Sequence, residues 1–189
     1  MTSGVDMHTI FWVIFVKFVP YVYDSSGNRV NVLVSRMTQK DARQTSQSPR
    51  LQTSWTSSFL SEDKLEKYSV KIGEELIALG AYEVRNDLLF VHIAYLEAAP
   101  ASNPTIAGEN KKYSGIGKLL VAFGIKLSVD YGFGGDVVLE AKTTQLARHY
   151  EEDFHAKRIF SLPGDAPSYL IADSAAGSIF ISYLEEEDK

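Results

Sequence analysis

Lys112-Tyr113-Ser114-Gly115-Ile116-Gly117-Lys118 opens the clearest amphipathic helix of the chain. Two glycines one residue apart stand at the junction of loop and helix. Glycine has no Cβ, so its amide can approach an oxygen closely, and it tolerates positive φ. The first N–H groups of a helix lack internal partners and sit at the positive end of the helix dipole. Such a junction predicts a cradle for phosphate. Beyond it, Ile116, Leu119, Leu120, Phe123 and Leu127 recur at spacings of three and four, which predicts a helix over 115–131. Lys118, Lys126 and Asp130 fall off that stripe, and Gly132 supplies the stop.

Working upstream, Leu88 to Leu96 is apolar on both faces, as in a central covered strand. Glu74 to Arg85 reads as its neighbour, joined to it by a tight turn at Asn86-Asp87. Residues 98–111, with Pro100, Pro104 and Gly108, read as a loop. Ser61-Glu62-Asp63-Lys64 predicts a helix start, with Ser61 as N-cap and Leu65 and Tyr68 on one face. Residues 36–58 carry no stable period and read as a polar loop with at most short helical turns. Ile10 to Tyr23 and Arg29 to Ser35 are β-rich around the turn cluster Asp24-Ser25-Ser26-Gly27-Asn28, which predicts an N-terminal hairpin.

Downstream, Asp136 to Ala141 reads as a short strand. Thr143 to Asp153 reads as a helix with Leu146, Ala147 and Tyr150 on one face. Ser168 to Ala172 and Ser178 to Leu184 read as a hairpin-like pair of closing strands, and Glu185 to Asp188 as a solvated terminus. Helices between strands imply one α/β domain with a mixed sheet over residues 1–189.

Composition narrows the chemistry. The net charge of -5 argues against a nucleic-acid backbone as partner. The chain has no cysteine, which excludes disulfides, thiolate nucleophiles and zinc–thiolate sites. The four histidines (His8, His92, His149, His155) include no pair at helical metal-ligand spacing, so no metal is expected. Ile10 to Val16 is too short to span a bilayer and lacks a basic leader, so it reads as a buried strand and the protein as cytoplasmic. The glycines do not fit a dinucleotide fingerprint, because Leu120 stands where a third Gly is needed. The closing hairpin also counts against that fold. A Walker loop is excluded by the spacing of the two glycines.

The segment from Glu74 to Ile159 resembles the GNAT superfamily of N-acetyltransferases. Their motif, Gln/Arg-x-x-Gly-x-Gly/Ala at the start of a long helix, falls here on Lys112, Gly115 and Gly117. Lys at the first position keeps a cation but lacks the planar fork of Arg. Leu146-Ala147-Arg148-His149-Tyr150-Glu151-Glu152 matches the family's second helix, whereas Phe154-His155-Ala156 replaces its Gly-Phe turn and Thr143 a common Asn. Glu97-Ala98-Ala99-Pro100, Asn103 and the glycine motif together look like a bacterial subgroup with a longer loop before the glycines. Residues 1–60, an N-terminal β-hairpin and polar loop, match nothing in the family, and 74–159 would be the acetyl-CoA-binding core.

The resemblance implies a mixed, mostly antiparallel central sheet flanked by helices, with two central strands splayed around acetyl-CoA. The amides of Tyr113, Ser114, Gly115, Ile116, Gly117 and Lys118, with Lys112, would hold the pyrophosphate. The end of the Leu88 to Glu97 strand, through the backbone near Leu96, would pair with the pantetheine. Transfer to an amine would be direct, in keeping with a chain that has no cysteine, and the enzyme would place the amine, remove its proton and protonate the leaving thiolate.

Tyr150 occupies the family's place for that acid and for contact with the cofactor's sulfur. Its plainer reading is a core residue with its hydroxyl at the rim. Glu97 ends an apolar strand, where a half-desolvated carboxylate could serve as base or position a water; it could equally be a solvated strand terminus. Glu83 and Glu140 rival it, and a water could also be the base. His92 reads as a hydrogen-bonded core histidine and His149 as exposed. The glycines themselves could instead permit close helix–sheet packing.

The expected activity is an N-acetyltransferase acting on a small-molecule or protein amine, with homodimers common in the superfamily. Two other classes compete. One is a degenerate GNAT fold that binds acyl-CoA or a protein without catalysis. The other is a nucleotide-dependent enzyme using the same loop.

Overall fold

A computed structural model describes residues 16–46, 51–58, 60, 62–103, 106 and 110–186. The apolar stretch before Val16 and the Ser61 cap lie outside the described residues. In chain order the strands are β1 (Val16–Phe18), β2 (Tyr21–Asp24), β3 (Arg29–Asn31), β4 (Leu33–Arg36), β5 (Leu65–Ile72), β6 (Glu75–Arg85), β7 (Phe90–Ala98), β8 (Tyr113–Ser114), β9 (Val137–Glu140), β10 (Lys157–Arg158), β11 (Ser168–Ile171) and β12 (Leu184–Glu186). The helices are α1 (Gln39–Gln44), α2 (Ile116–Asp130), α3 (Thr144–Asp153) and α4 (Asp173–Ile181).

Seven strands form the main sheet in the order β10-β11-β9-β7-β6-β5-β4. Every pairing is antiparallel except β7 with β9. A parallel pair needs a crossover, and α2 is that crossover. Its N-terminus therefore lies at the C-terminal end of β7.

Alternation along β6 and β7 separates the two faces of the sheet. Tyr82 pairs with Ile93 and faces α2, where the Tyr82 hydroxyl donates to the Leu120 carbonyl at 2.9 Å. Tyr68, Tyr82 and Phe123 meet edge to face there, with ring centroids 4.6–5.9 Å apart. Each such side chain contributes about 1.5–3 kcal/mol by burial. α2 comes very close to the sheet at Gly124, where a Cβ would stand 3.0 Å from Ile93 Cδ1. On the opposite face, Leu51, Trp55, Leu60, Leu65, Leu79 and Ala81 form a second apolar cluster.

Two smaller sheets flank the main one. β2 pairs with β3 as the predicted hairpin, and on its other edge with β8. β1 pairs with β12. Phe18 stacks on Phe180, and Tyr21 packs 4.7 Å from Tyr183, so the N-terminal strands close over α4.

Several expectations are corrected. The helix expected around Leu65 and Tyr68 is strand β5. Three residues apart in a strand, the two side chains point to opposite faces: Leu65 joins the Trp55 cluster and Tyr68 the Phe123 rings. Ser178 to Leu184 is not a strand. Ser178 to Ile181 belong to helix α4, because Ala176 and Ile179, three apart, bury one face of that helix, and after the Ser182–Tyr183 turn Leu184 opens β12. No C-terminal hairpin forms there; β11 pairs with β9 and β10 instead. Leu88 and Leu89 belong to the turn rather than to the strand, both exposed, with Leu89 at φ 58°. Glu185 and Glu186 are paired strand rather than free tail, and Glu185 forms an ion pair with Arg29.

Candidate functional site

The last bonded pair between β7 and β9 is Ile93 with Leu139. β7 then runs on to Ala98, while β9 ends at Glu140. An irregularity in the pairing with β6 at Ala81/Tyr82 leaves Ala94 opposite no residue. From Ala94 onward, through Leu96, the β9-facing edge of β7 has no strand beside it among the described residues. This is a wedge between splayed central strands, and its half-buried backbone edge, unpaired among the described residues, is of the kind that can pair with an extended ligand.

The glycine turn lies at the same end. Gly115 is the N-cap of α2 at φ 82°, a left-handed conformation that disfavours any side chain, and no side chain caps the helix. A Cβ at Gly117 would meet nothing within 4 Å, so its surroundings are open space. Leu119 N donates to Gly115 O, which leaves the amides of Ile116, Gly117 and Lys118 without an intrahelical acceptor. Gly117 and Lys118 are exposed and Ile116 is anchored in the core. The close helix–sheet packing considered for these glycines is met at Gly124 instead.

Two members of the expected cradle are turned elsewhere. The Tyr113 amide donates to Ser102 Oγ at 3.0 Å, so it points into the protein rather than at a ligand. Lys112 Nζ is 2.7 Å from both carboxylate oxygens of Glu75, an ion pair between exposed side chains. Ser114, beside Tyr113 in β8, pairs with Tyr23 of β2.

Tyr150 is half-buried on α3, stacked on Phe154 and edge-on to Tyr169 at 5.9 Å. Burial, and then the negative charge of Glu140, push its phenol pKa up from the ordinary value. It therefore keeps its proton at neutral pH. A hollow of about 550 Å³ opens beside the start of α3, lined by Ala141, Lys142, Thr143, Ala147 and Tyr169 among others.

Glu97, the expected base, is an anchor. It is 5% exposed, and its carboxylate accepts from Gln52 N at 2.6 Å, Thr53 N at 3.4 Å and Trp55 Nε1 at 2.8 Å. Those donors fix the 51–55 segment over the face opposite α2, where Thr53 also bonds the Tyr95 hydroxyl. A carboxylate so engaged has no open approach for an amine.

The two rival carboxylates come together. Glu83 on β6 lies opposite His92 on β7, and Glu140 on β9 shares their face. His92 Nε2 is 2.9 and 2.8 Å from the two Glu140 oxygens, and Nδ1 is 3.6 Å from Glu83. Burial works against the imidazolium, but the bond to Glu140 and the charges of Glu140 and Glu83 outweigh it and raise the His92 pKa. Sequence reading took His92 for a hydrogen-bonded core histidine without naming its partners, which are Glu140 and Glu83. The signal that finds it is hairpin register: Glu83 and His92 stand at equal distances either side of the 86–89 turn.

No family model matches the chain, and no curated protein matches its sequence. Solved structures do match its fold. The ribosomal-protein-S18-alanine N-acetyltransferase of Escherichia coli superposes with TM-score 0.51 at 12% identity, over 75% of this chain and 95% of that one. The PaiA N-acetyltransferase of Thermoplasma acidophilum, in complex with coenzyme A, gives 0.53 at 10% identity, over 76% and 100%. The aminoglycoside acetyltransferase AAC(6')-Ib, in complex with coenzyme A and kanamycin, gives 0.53 at 16% identity, over 78% and 98%. The chain therefore has the fold of the GNAT N-acetyltransferases, a mixed and mostly antiparallel sheet flanked by helices.

Proposed function

We propose that this chain is an acetyl-CoA-dependent N-acetyltransferase that acts on an amine of a small molecule or a protein. The observation that carries the reading is the coincidence of an unpaired β7 edge and an uncapped glycine turn at one end of the sheet. The amides of Ile116, Gly117 and Lys118 would hold the diphosphate, with the dipole of α2 behind them. Lys112 would add its charge on release from Glu75. The backbone around Leu96 would align the pantetheine arm. When bound, acetyl-CoA supplies an activated thioester carbonyl. Tyr150, with its phenol protonated, is the group that would deliver a proton to the departing sulfur.

A thermal-shift titration with acetyl-CoA, followed by a thiol-release assay across an amine panel, tests this. A shift with release of thiol on at least one amine supports the enzyme. A shift without release on any amine turns the reading to a binding module. The absence of any shift removes both.

A further inference from the structure

The row Glu83–His92–Glu140 crosses three adjacent strands, on the face of the sheet opposite α2. Glu140 is the first residue of β9 beyond its last pair with β7, so its carboxylate stands at the root of the wedge. Its side chain is 34% exposed, and both oxygens are within hydrogen-bond reach of one imidazole nitrogen. Its negative charge also acts on the half-buried Tyr150 phenol, adding to burial in raising that pKa. Glu83, behind the imidazole, is itself tied to Lys64 at 3.6 Å and Arg85 at 4.0 Å. Those cations are shared in turn with Glu62 and Asp87. Along this chain of ion pairs, Glu140 is the end that opens on the wedge.

We propose that His92 is a positioning residue: its ring, held from behind by Glu83, fixes the Glu140 carboxylate at the wedge, where Glu140 takes the proton of an acceptor that arrives as a strongly basic ammonium. The inference rests on the acetyltransferase reading. An ammonium has no lone pair and cannot attack a carbonyl. The proton passes from nitrogen to a Glu140 oxygen, and the N–H bond pair stays on nitrogen as the nucleophilic lone pair. Glu140 returns the proton to water, which restores the carboxylate. Nitrogen then bonds to the acetyl carbon as the C–S bond breaks. Tyr150 protonates the sulfur and receives in exchange the surplus proton of the new amide nitrogen.

The test compares two kinds of amine. A strongly basic primary alkylamine is almost wholly protonated at neutral pH, whereas methoxyamine is already neutral and needs no base. With Glu140→Gln, kcat/KM for the alkylamine falls about 100-fold relative to that for methoxyamine. His92→Gln shifts the same ratio in the same direction by about tenfold. Raising the pH restores the alkylamine rate in both variants, because free amine then replaces the missing proton acceptor. The dissociation constant for acetyl-CoA stays within about twofold of wild type. Should His92→Gln not fold, His92→Asn, shorter and uncharged, takes its place in the same comparison. A proportional loss on both amines, or wild-type ratios in the folded variants, overturns the proposal and leaves the acetyltransferase standing. A wild-type protein that binds no acetyl-CoA overturns the acetyltransferase, and the role of His92 with it.

Discussion

On the α2 face of the sheet, Tyr68, Tyr82, Ile93 and Phe123 pack ring against ring and against helix. On the other face, Asp41, Glu83, His92, Glu97 and Glu140 are each engaged by a named donor or ion partner. The α2 face needs only size and shape to be satisfied. The opposite face needs every charge to find a partner at the right distance, because a buried unpaired charge costs several kcal/mol. The fold rests on the first face. The second fixes the loops and the row of titratable groups that give the wedge its chemistry.

The sharpest way to break this contrast is Asp41→Ala. Asp41 is fully buried, bonds Thr38 and Ser69, and lies 2.5 Å from Lys71 Nζ. Its removal strands a mostly buried cation and destabilises by about 3–5 kcal/mol in denaturant unfolding. A loss under about 1 kcal/mol would show that the polar face tolerates gaps as an exposed surface does. Next, at the rim, Gly117→Glu puts a carboxylate into the open space before the α2 amides and raises the acetyl-CoA dissociation constant about 10- to 100-fold by calorimetry. Unchanged affinity in a folded variant would move the cradle elsewhere.

On the apolar face, Gly124→Val drives methyl groups into Ile93 and Tyr82 and costs about 1–3 kcal/mol, read as a lower denaturant midpoint at unchanged m. The His92 row gives a smaller, pH-coded effect. Its folded pKa is raised, so its contribution is complete below the unfolded value of about 6.5 and fades as pH climbs through the folded one. The melting-temperature gap between wild type and His92→Gln is therefore widest at mildly acid pH and narrows toward pH 9; a gap that widens instead contradicts the pairing. Smallest is Glu75→Gln, which releases Lys112 and tightens acetyl-CoA binding about two- to fivefold.

The α2 face was legible in the sequence because helical and strand periodicity write it directly. Ile116 to Leu127 and the run through Ile93 repeat at the spacing of their elements. The glycine turn was legible for a similar reason, since Gly115 and Gly117 adjoin the helix they open. Glu97 was misread because its partners, Gln52, Thr53 and Trp55, lie more than forty residues away in a segment with no period. The same distance hid the bond of His92 to Glu140, which depends on a parallel register set only by the α2 crossover. Leu65 and Tyr68 fit a helical spacing by coincidence, and cross-strand pairing on both sides overrode it. α4 reversed the error: its β-prone residues were drawn into a helix by packing against α2.

The strand that leads into the glycine turn is also the third strand of the sheet begun by the N-terminal hairpin. Residues 21–31 hold none of the groups assigned to chemistry, yet the turn hangs from them as a bracket hangs from a wall. The hairpin thus sets where Tyr113 and Ser114 stand without supplying any group of the turn itself.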